Sequence, residues 1–409
     1  MIVAQDFRMT PELRKRLLFA FYLPSALFSL AWAVLIPVLP VYASELTNEY
    51  FIVGIILSAT AIGRVVGSIP SSFLLNRAGI KNTLITGTVV TLIPVLALFF
   101  VRNLPLTVAL LFVVGIGLSI FGIARHTYVS VVIPLEIRGR AISLLGGVFR
   151  TGLFIGPIIG GWVGGTFGLP SAFLAFFAIG ILALLSVMRF MRNLEANVHE
   201  KSDDIPETVS FVKMVNENRG IITAAGLGQW LVSVTREGWR VLIPLYAANV
   251  LGLEIETIGL VMGIGAAFDM IFFPVSGFLM DKFGRKWAIV PSFVLQGIGI
   301  ALILLAGNAF ALTVFAAFIG FGNGLSSGTM MTTGADLAPV DNRSQFLSLW
   351  HFIGDMGAVS GPMVVGAVAQ AFVIQMSITS IAGAGFAAAL LFAFFVPETL
   401  KRRKTKPAT

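Results

Sequence analysis

The 409-residue chain contains no cysteine, only three histidines, and few charges: Asp, Glu, Lys and Arg together make up 12%, against about 25% in soluble domains. The lack of cysteine excludes a disulfide, a thiolate metal site and a cysteine nucleophile. There is also no phosphate-binding glycine loop, no cluster with zinc-ligand spacing, and no serine, histidine and acid at a common helical depth. An enzyme reading therefore has little support, and no cofactor or metal is implied. The scarcity of charge leaves a chain that is 57% hydrophobic with a mean hydropathy of +0.92. Apolar runs long enough to span a bilayer recur throughout, which makes this a polytopic membrane protein. Residues 1–16 are polar and basic. The apolar run after them is too long for a signal-peptide core, so it reads as a membrane helix that is retained.

The runs predict an all-α membrane protein with twelve helices, over roughly 17–42, 50–75, 83–101, 106–133, 141–163, 171–190, 221–246, 258–280, 287–305, 311–333, 345–369 and 376–396. Arg102-Asn103-Leu104-Pro105, the stretch Gly164 to Pro170, and Gly307-Asn308 supply turn signals between them. The polar stretch 191–220 is the only sizeable linker. The predicted organisation is a six-helix bundle over 1–190, a cytoplasmic linker over 191–220, and a second six-helix bundle over 221–409 that ends in a basic tail. With the N-terminus inside, the cytoplasmic segments hold Arg8, Arg14, Lys15, Arg16, Arg77, Lys81, Arg138 and Arg140, the basic residues of the linker region, Lys282, Arg285, Lys286 and Arg343, and the tail from Lys401 to Lys406. Arg102 alone lies outside, so both termini are expected in the cytoplasm of a multi-pass plasma (inner) membrane protein. The formal charge of +8 is then mostly a topology signal, and nucleic acid is not an expected partner.

The chain also repeats itself at an offset of about 205 residues. Trp32-Ala-Val-Leu-Ile-Pro37 returns as Trp239-Arg-Val-Leu-Ile-Pro244. Gly156-Pro157 and Gly160 return around Gly361-Pro362 and Gly366, and Pro134-x-Glu136-x-Arg138 returns as Pro339-x-Asp341-x-Arg343. On this offset Arg64 falls on Asp269 and Arg150 falls on Asp355.

Those four residues belong to a larger set inside predicted helices: Arg64, Arg125, Arg150, Arg236, Glu237, Arg240, Asp269 and Asp355. Each costs about 2.5–3.5 kcal/mol at a helix centre, so most require partners or water. Arg64, Arg150, Asp269 and Asp355 each lie twelve residues from a cytoplasmic loop position, which is roughly 18 Å into the membrane at the helical rise. All four share one level near the midplane. Arg125 and His126 lie at the same depth, where the histidine could relay protons or simply pack between helices. His351 precedes Asp355 by one helical turn, and Arg236 and Arg240 share a face in the same way. Arginines outnumber acids in this set, so an anionic substrate bound bidentately is an open possibility. Trp32, Trp239 and Trp350 are the aromatic candidates for a cavity wall.

Three motifs carry a family resemblance. Gly277-Phe-Leu-Met-Asp281-Lys-Phe-Gly284-Arg285-Lys286 follows the pattern Gly-x-Leu-x-Asp-x-x-Gly-Arg-Lys, a tight glycine turn presenting acid and base at a helix end. Its counterpart, Ser72 to Lys81, has Asn76 in place of the acid and Ile80 in place of a base. Gly147, Gly152, Gly156-Pro157 and Gly160-Gly161 share one helix, with spacing that permits close helix approach and a proline bend. Val396-Pro397-Glu398-Thr399 closes the last helix.

Two homologous halves carrying these motifs resemble the major facilitator superfamily of secondary transporters, and the glycine-proline motif resembles that of its drug/proton antiporters. The resemblance implies that the helices over 50–75 and 345–369, and those over 141–163 and 258–280, pack across the interface between halves. Arg64 would then face Asp355, and Arg150 would face Asp269. These pairs either hold the halves in register or, on protonation of an acid, release them. The helix over 17–42 carries no acid, unlike that of many drug/proton antiporters. The expected function is secondary active transport of small amphipathic molecules by alternating access, with protons as coupling partner and export as direction, performed by a monomer. Two alternatives stay open: transport of an organic or lipid-like anion through the buried arginines, and a membrane sensor that keeps the fold without transporting.

Overall fold

The computed structural model describes residues 17–133, 135–191, 211–340 and 342–400. The basic N-terminal segment to Arg16, Pro134, most of the linker, Asp341 and the tail from Lys401 lie outside the described residues, as do the side chains of Glu136, Arg138 and Arg140.

Every regular element among the described residues is helical. In chain order they are α1 (Leu18–Leu46), α2 (50–78) and α3 (80–100), α4 (Leu104–Val132), α5 (Leu135–Phe167) and α6 (Ser171–Phe190). There follow α7 (Phe211–Glu217), α8 (Arg219–Asn249), α9 (Ile255–Lys282), α10 (Arg285–Leu302), α11 (Ala309–Leu325), α12 (Thr329–Leu337), α13 (Arg343–Ala371) and α14 (Ile374–Phe394). Helices α2 and α3 form one 51-residue run interrupted only at Gly79, whose φ of 74° turns the chain. Ten spans among the described residues are long and apolar enough to cross a membrane, with the α2–α3 run and the α11–α12 stretch (Ala309–Leu337) each counted once. Helix α8 is not among them, because Arg236, Glu237 and Arg240 interrupt its apolar run.

The stretch predicted as a linker holds the short helix α7 (Phe211–Glu217), and α8 begins at Arg219. One expectation of helix continuity is corrected. The predicted continuous helix over 311–333 is broken at Ser326-Ser327-Gly328, with Gly328 at φ 74°. Serine side chains there compete for backbone hydrogen bonds and glycine admits the left-handed turn.

The sequence repeat is reproduced as a structural repeat at the same offset. Asn103 and Asn308 cap α4 and α11, each accepting from the amide three residues on, at 3.1 and 2.9 Å. Lys81 Nζ donates to the Met188 carbonyl at 3.0 Å, and Lys286 Nζ donates to the Ala393 carbonyl at 2.9 Å. Tyr42 and Tyr246, buried in matching places, donate to the carbonyls of Val101 and Ala306. Within the first half α1 packs on α5 and the α2–α3 run packs on α4. Within the second, α9 packs on α11 and α8 on α13. Across the halves α5 meets α9 and α2 meets α13, so the helices that border the space between halves are those carrying the buried charges.

Candidate functional site

At one end of the molecule the halves touch through glycine. A Cβ on Gly54 of α2 would sit 2.7 Å from the Pro362 carbonyl oxygen of α13, and one on Gly161 of α5 would sit 2.7 Å from the Ile255 carbonyl oxygen of α9. Gly259 is held as tightly against the Pro157 carbonyl, and Gly366 against the Tyr50 carbonyl. The α2–α13 and α5–α9 contacts are thus copies related by the 205-residue offset. Ser58 Oγ donates across the same seam to the Val359 carbonyl at 2.8 Å. This closed end carries the turns around 47–49, 168–170, 250–254 and 372–373. Gly152, Gly156 and Gly160 seat α5 against Ser29, Ala33 and Val34 of α1, and Gly361 seats α13 against Gly238 of α8. Toward the opposite end the halves part, and Asp355, His351 and His126 are exposed.

Two adjoining pockets occupy the space between halves and share Ile36 and Arg240 in their walls. The larger is lined by Trp32, Thr60, Arg64, Glu237, Arg240 and Pro362 together with aliphatic side chains of α1 and α2. The smaller is lined by Pro157, Trp239, Asp269 and Asn323. Its wall is mostly apolar with a few convergent charges, as small-molecule sites commonly are.

Arg150 reaches from α5 into the second half. Its Nε lies 3.3 Å from Asp269 Oδ2, its Nη2 donates to Ser327 Oγ, and Nη1 donates to its own Gly146 carbonyl at 3.2 Å. The guanidinium also stacks on Phe273, 4.1 Å from the ring centre. Asp269 is buried and its Oδ1 accepts from Asn323 Nδ2 at 3.2 Å. Arg240 pairs with Glu237 at 2.8 Å along α8. Arg236 has neutral partners instead, donating to the Ser326 carbonyl and hydroxyl at 3.2 and 2.8 Å, and lies over the Phe293 ring.

Arg64 and Asp355 face one another as charged neighbours across α2 and α13 without closing into an ion pair. The structure thus brings one expected pair into contact and leaves the other apart. His351 neighbours Asp355, and His126 of α4 neighbours both Arg125 and His351. These groups therefore cluster at the parted end. Trp32 and Trp239 line the pockets, but Trp350 does not. It is buried inside the second half, its indole N–H donating to the Met330 carbonyl at 3.0 Å, because α12 bends back over that face of α13. Asn323, Ser326, Ser327 and Phe273 were not anticipated. The run Gly324-Leu-Ser-Ser-Gly328 was the available signal, since its small and hydroxyl side chains can bond the backbone in place of helical partners without by themselves ending a helix.

The glycine loop after α9 is a charged latch within the second half. Gly284 takes φ 119°, a region that L side chains rarely adopt. Arg285 Nε donates to Asp336 Oδ2 at 2.9 Å and Nη1 donates to the Met280 carbonyl at 2.8 Å, with Asp281 at 3.5 Å. Gly277 borders open space. Glu398 accepts from the first two backbone amides of α10, Arg285 and Lys286, at 2.9 and 3.0 Å. Partial burial raises its carboxyl pKa, but backbone amides of Leu400, Arg285, Lys286 and Thr399 outweigh that and hold it below the usual carboxylate range. At the aligned positions the first half carries Asn76, Ile80 and Val131 in place of Asp281, Arg285 and Asp336.

The chain matches the family model described as Major Facilitator Superfamily over residues 21–268 and 225–409. It is 22% identical over 345 residues to an uncharacterised MFS-type transporter of Methanocaldococcus jannaschii, covering 83% of this chain and 86% of that one. It is 25% identical over 305 residues to a probable nitrate transporter, NarT, of Staphylococcus aureus, covering 72% and 75%. Among solved structures, a POT family transporter in complex with 5-aminolevulinic acid superposes with a TM-score of 0.76 at 16% identity, covering 95% of this chain and 97% of that one. A D-xylose–proton symporter superposes with a TM-score of 0.73 at 17% identity, covering 93% and 97%. The relatives are transporters rather than enzymes, which fits an all-helical chain with a small-molecule cavity between its halves. The chain belongs to the major facilitator superfamily, as a multi-pass transport protein of the plasma membrane.

Proposed function

We propose that this transporter moves small amphipathic molecules by alternating access, with the cavity between halves as its substrate site. The observation that carries this is the mostly apolar cavity wall holding Trp32, Arg64, Glu237 and Arg240, sealed by glycine contacts at one end and parted at the other. The proposed topology has twelve spans: α2 and α3 count separately, and α8 spans despite its charges because Glu237 and Arg240 face the cavity and Arg236 is bonded to Ser326. The parted end carries Arg77, Lys81, Lys282, Arg285, Lys286 and Arg343, so it is the cytoplasmic end by the excess of basic residues. Both termini lie there. The bundles are 1–190 and 221–409, and the conformation is open to the cytoplasm.

Protons couple the cycle through Asp355, with His351 and His126 as its titratable neighbours and Arg64 as the charge it faces. Closing the cytoplasmic end brings α2 toward α13, so Arg64 can pair with Asp355 only in the other state. Protonating Asp355 weakens that pairing and favours the conformation described. Export along this cycle, by a monomer, is the direction proposed. The test uses the protein in liposomes with a trapped pH dye and an imposed pH gradient, adding lipophilic cations and organic anions in turn. Dissipation of the gradient by one class, lost in Asp355→Asn, is the expected result. Equal dissipation by wild type and variant would remove the coupling role.

A further inference from the structure

The break between α11 and α12 leaves backbone groups that the cycle above does not use. The Thr329 amide turns back to the Ser326 carbonyl at 3.2 Å and the Thr332 amide bonds the Gly328 carbonyl at 3.0 Å. The amides of Met330 and Met331, between them, have no acceptor among the described residues. Helix α12 is nine residues long, so its start lies about 14 Å from its far end, well inside the membrane. Irregular backbone at that depth occurs where it is buried in protein or lines a water-filled cavity, and Gly328 and Met331 are exposed.

The positive end of α12 is flanked by two guanidiniums from other helices. Arg150 holds Ser327 Oγ and Arg236 holds Ser326. Ser276 of α9 fixes the turn by donating to the Ser327 carbonyl at 2.7 Å. The neighbouring charges are unbalanced. Asp269 is committed to Arg150 at 3.3 Å and Glu237 to Arg240 at 2.8 Å. Arg236 has no acid in ion-pair contact among the described residues, and its Nε, sealed from solvent, has no acceptor. A surplus guanidinium beside free helix N-terminal amides is an arrangement that calls for an anion.

We propose that the α11–α12 break seats a planar monovalent anionic group, a carboxylate or an oxyanion, held by Arg236 and the amides of Met330 and Met331. The proposal rests on the transport reading only in making this group part of the substrate. Site occupancy itself can be measured without transport. A planar anion matches the guanidinium fork, while Arg150 stays with Asp269 and keeps the halves in register. Trp350, donating to the Met330 carbonyl, is a built-in reporter beside the site.

The test titrates purified protein with sodium benzoate and, separately, sodium nitrate, at ionic strength held constant with methanesulfonate. Thermal midpoint and tryptophan fluorescence are the readouts. Saturable stabilisation by at least one probe is expected, with affinity about tenfold weaker or worse in Arg236→Gln and intermediate in Arg236→Lys. Response to benzoate alone assigns the site to a substrate carboxylate, and response to both assigns it to any small planar anion. No saturable response in wild type overturns the proposal, as does equal affinity in Arg236→Lys or Arg236→Gln. If anions bind through Arg236 while no compound crosses liposomes, the transport reading falls and the site stands. If neutral amphipathic compounds are transported and no anion binds, the reverse holds.

Discussion

Arg150 Nε lies 3.3 Å from Asp269 Oδ2, joining α5 of one half to α9 of the other, whereas Arg64 and Asp355, their counterparts on the same offset, stand apart. Two diagonals of one interface, alike in charge, are thus caught at different separations.

The closed diagonal is a buried pair with a further bond to Ser327. Asp269→Asn strands the Arg150 charge and should destabilise the fold by about 3–5 kcal/mol, whereas replacing Arg150 and Asp269 together by Met and Leu should cost much less. Denaturation of the two variants in detergent compares them. Equal losses would mean that the pair's charge is not what matters.

The open diagonal predicts a state-dependent contact. A chain without cysteine permits Arg64→Cys with Asp355→Cys free of background. The pair should cross-link slowly in the conformation described and at least about tenfold faster when the cytoplasmic end closes, since a disulfide needs Cα atoms within about 7 Å. Cross-linking at one rate under all substrate conditions would show that the two positions do not approach one another during the cycle.

The glycine seam predicts a conformational bias. Leucine at Gly54 or Gly259 cannot fit against the facing carbonyls, so either variant should hold the closed end apart. Spin labels on single cysteines at Thr47 and Val373 would report a longer distance across that end. An unchanged distance with retained fold would show that the helices slide past the added side chain.

Glu398 predicts an acid-sensitive cap. Its folded pKa is lowered, so its stabilisation is present above the carboxylate's unfolded value and is lost as pH falls through the folded value. Glu398→Gln should cost about 1 kcal/mol, as losing a helix cap does, with the charge itself partly screened by solvent. The difference in thermal midpoint between wild type and variant should shrink toward zero below about pH 4. A difference independent of pH would assign the effect to packing.

Much of this architecture is legible in the amino-acid sequence. Low charge and long apolar runs dictate membrane helices, and the offset dictates the repeat that Asn103 and Asn308, or Lys81 and Lys286, express as identical bonds. The depth of Arg150 and Asp269 follows from helical rise alone, and the reach between them from the family's packing. The break at Ser326 to Gly328 was not legible as a break. A short serine-glycine run is compatible with a membrane helix until Arg236, Arg150 and Ser276 compete for its backbone and hydroxyls. Trp350 misled because periodicity places a residue on a face without saying what covers that face.

Local hydrophobicity and distance along a helix are enough to set the class of molecule, its halves and the depth of its charges. Which charges meet is a matter of how the segments pack. The Arg150–Asp269 contact, the Arg64–Asp355 gap and the surplus charge on Arg236 depend on how the two halves are tilted and on where α11 gives way to α12. Those are properties of packing between segments far apart in the chain.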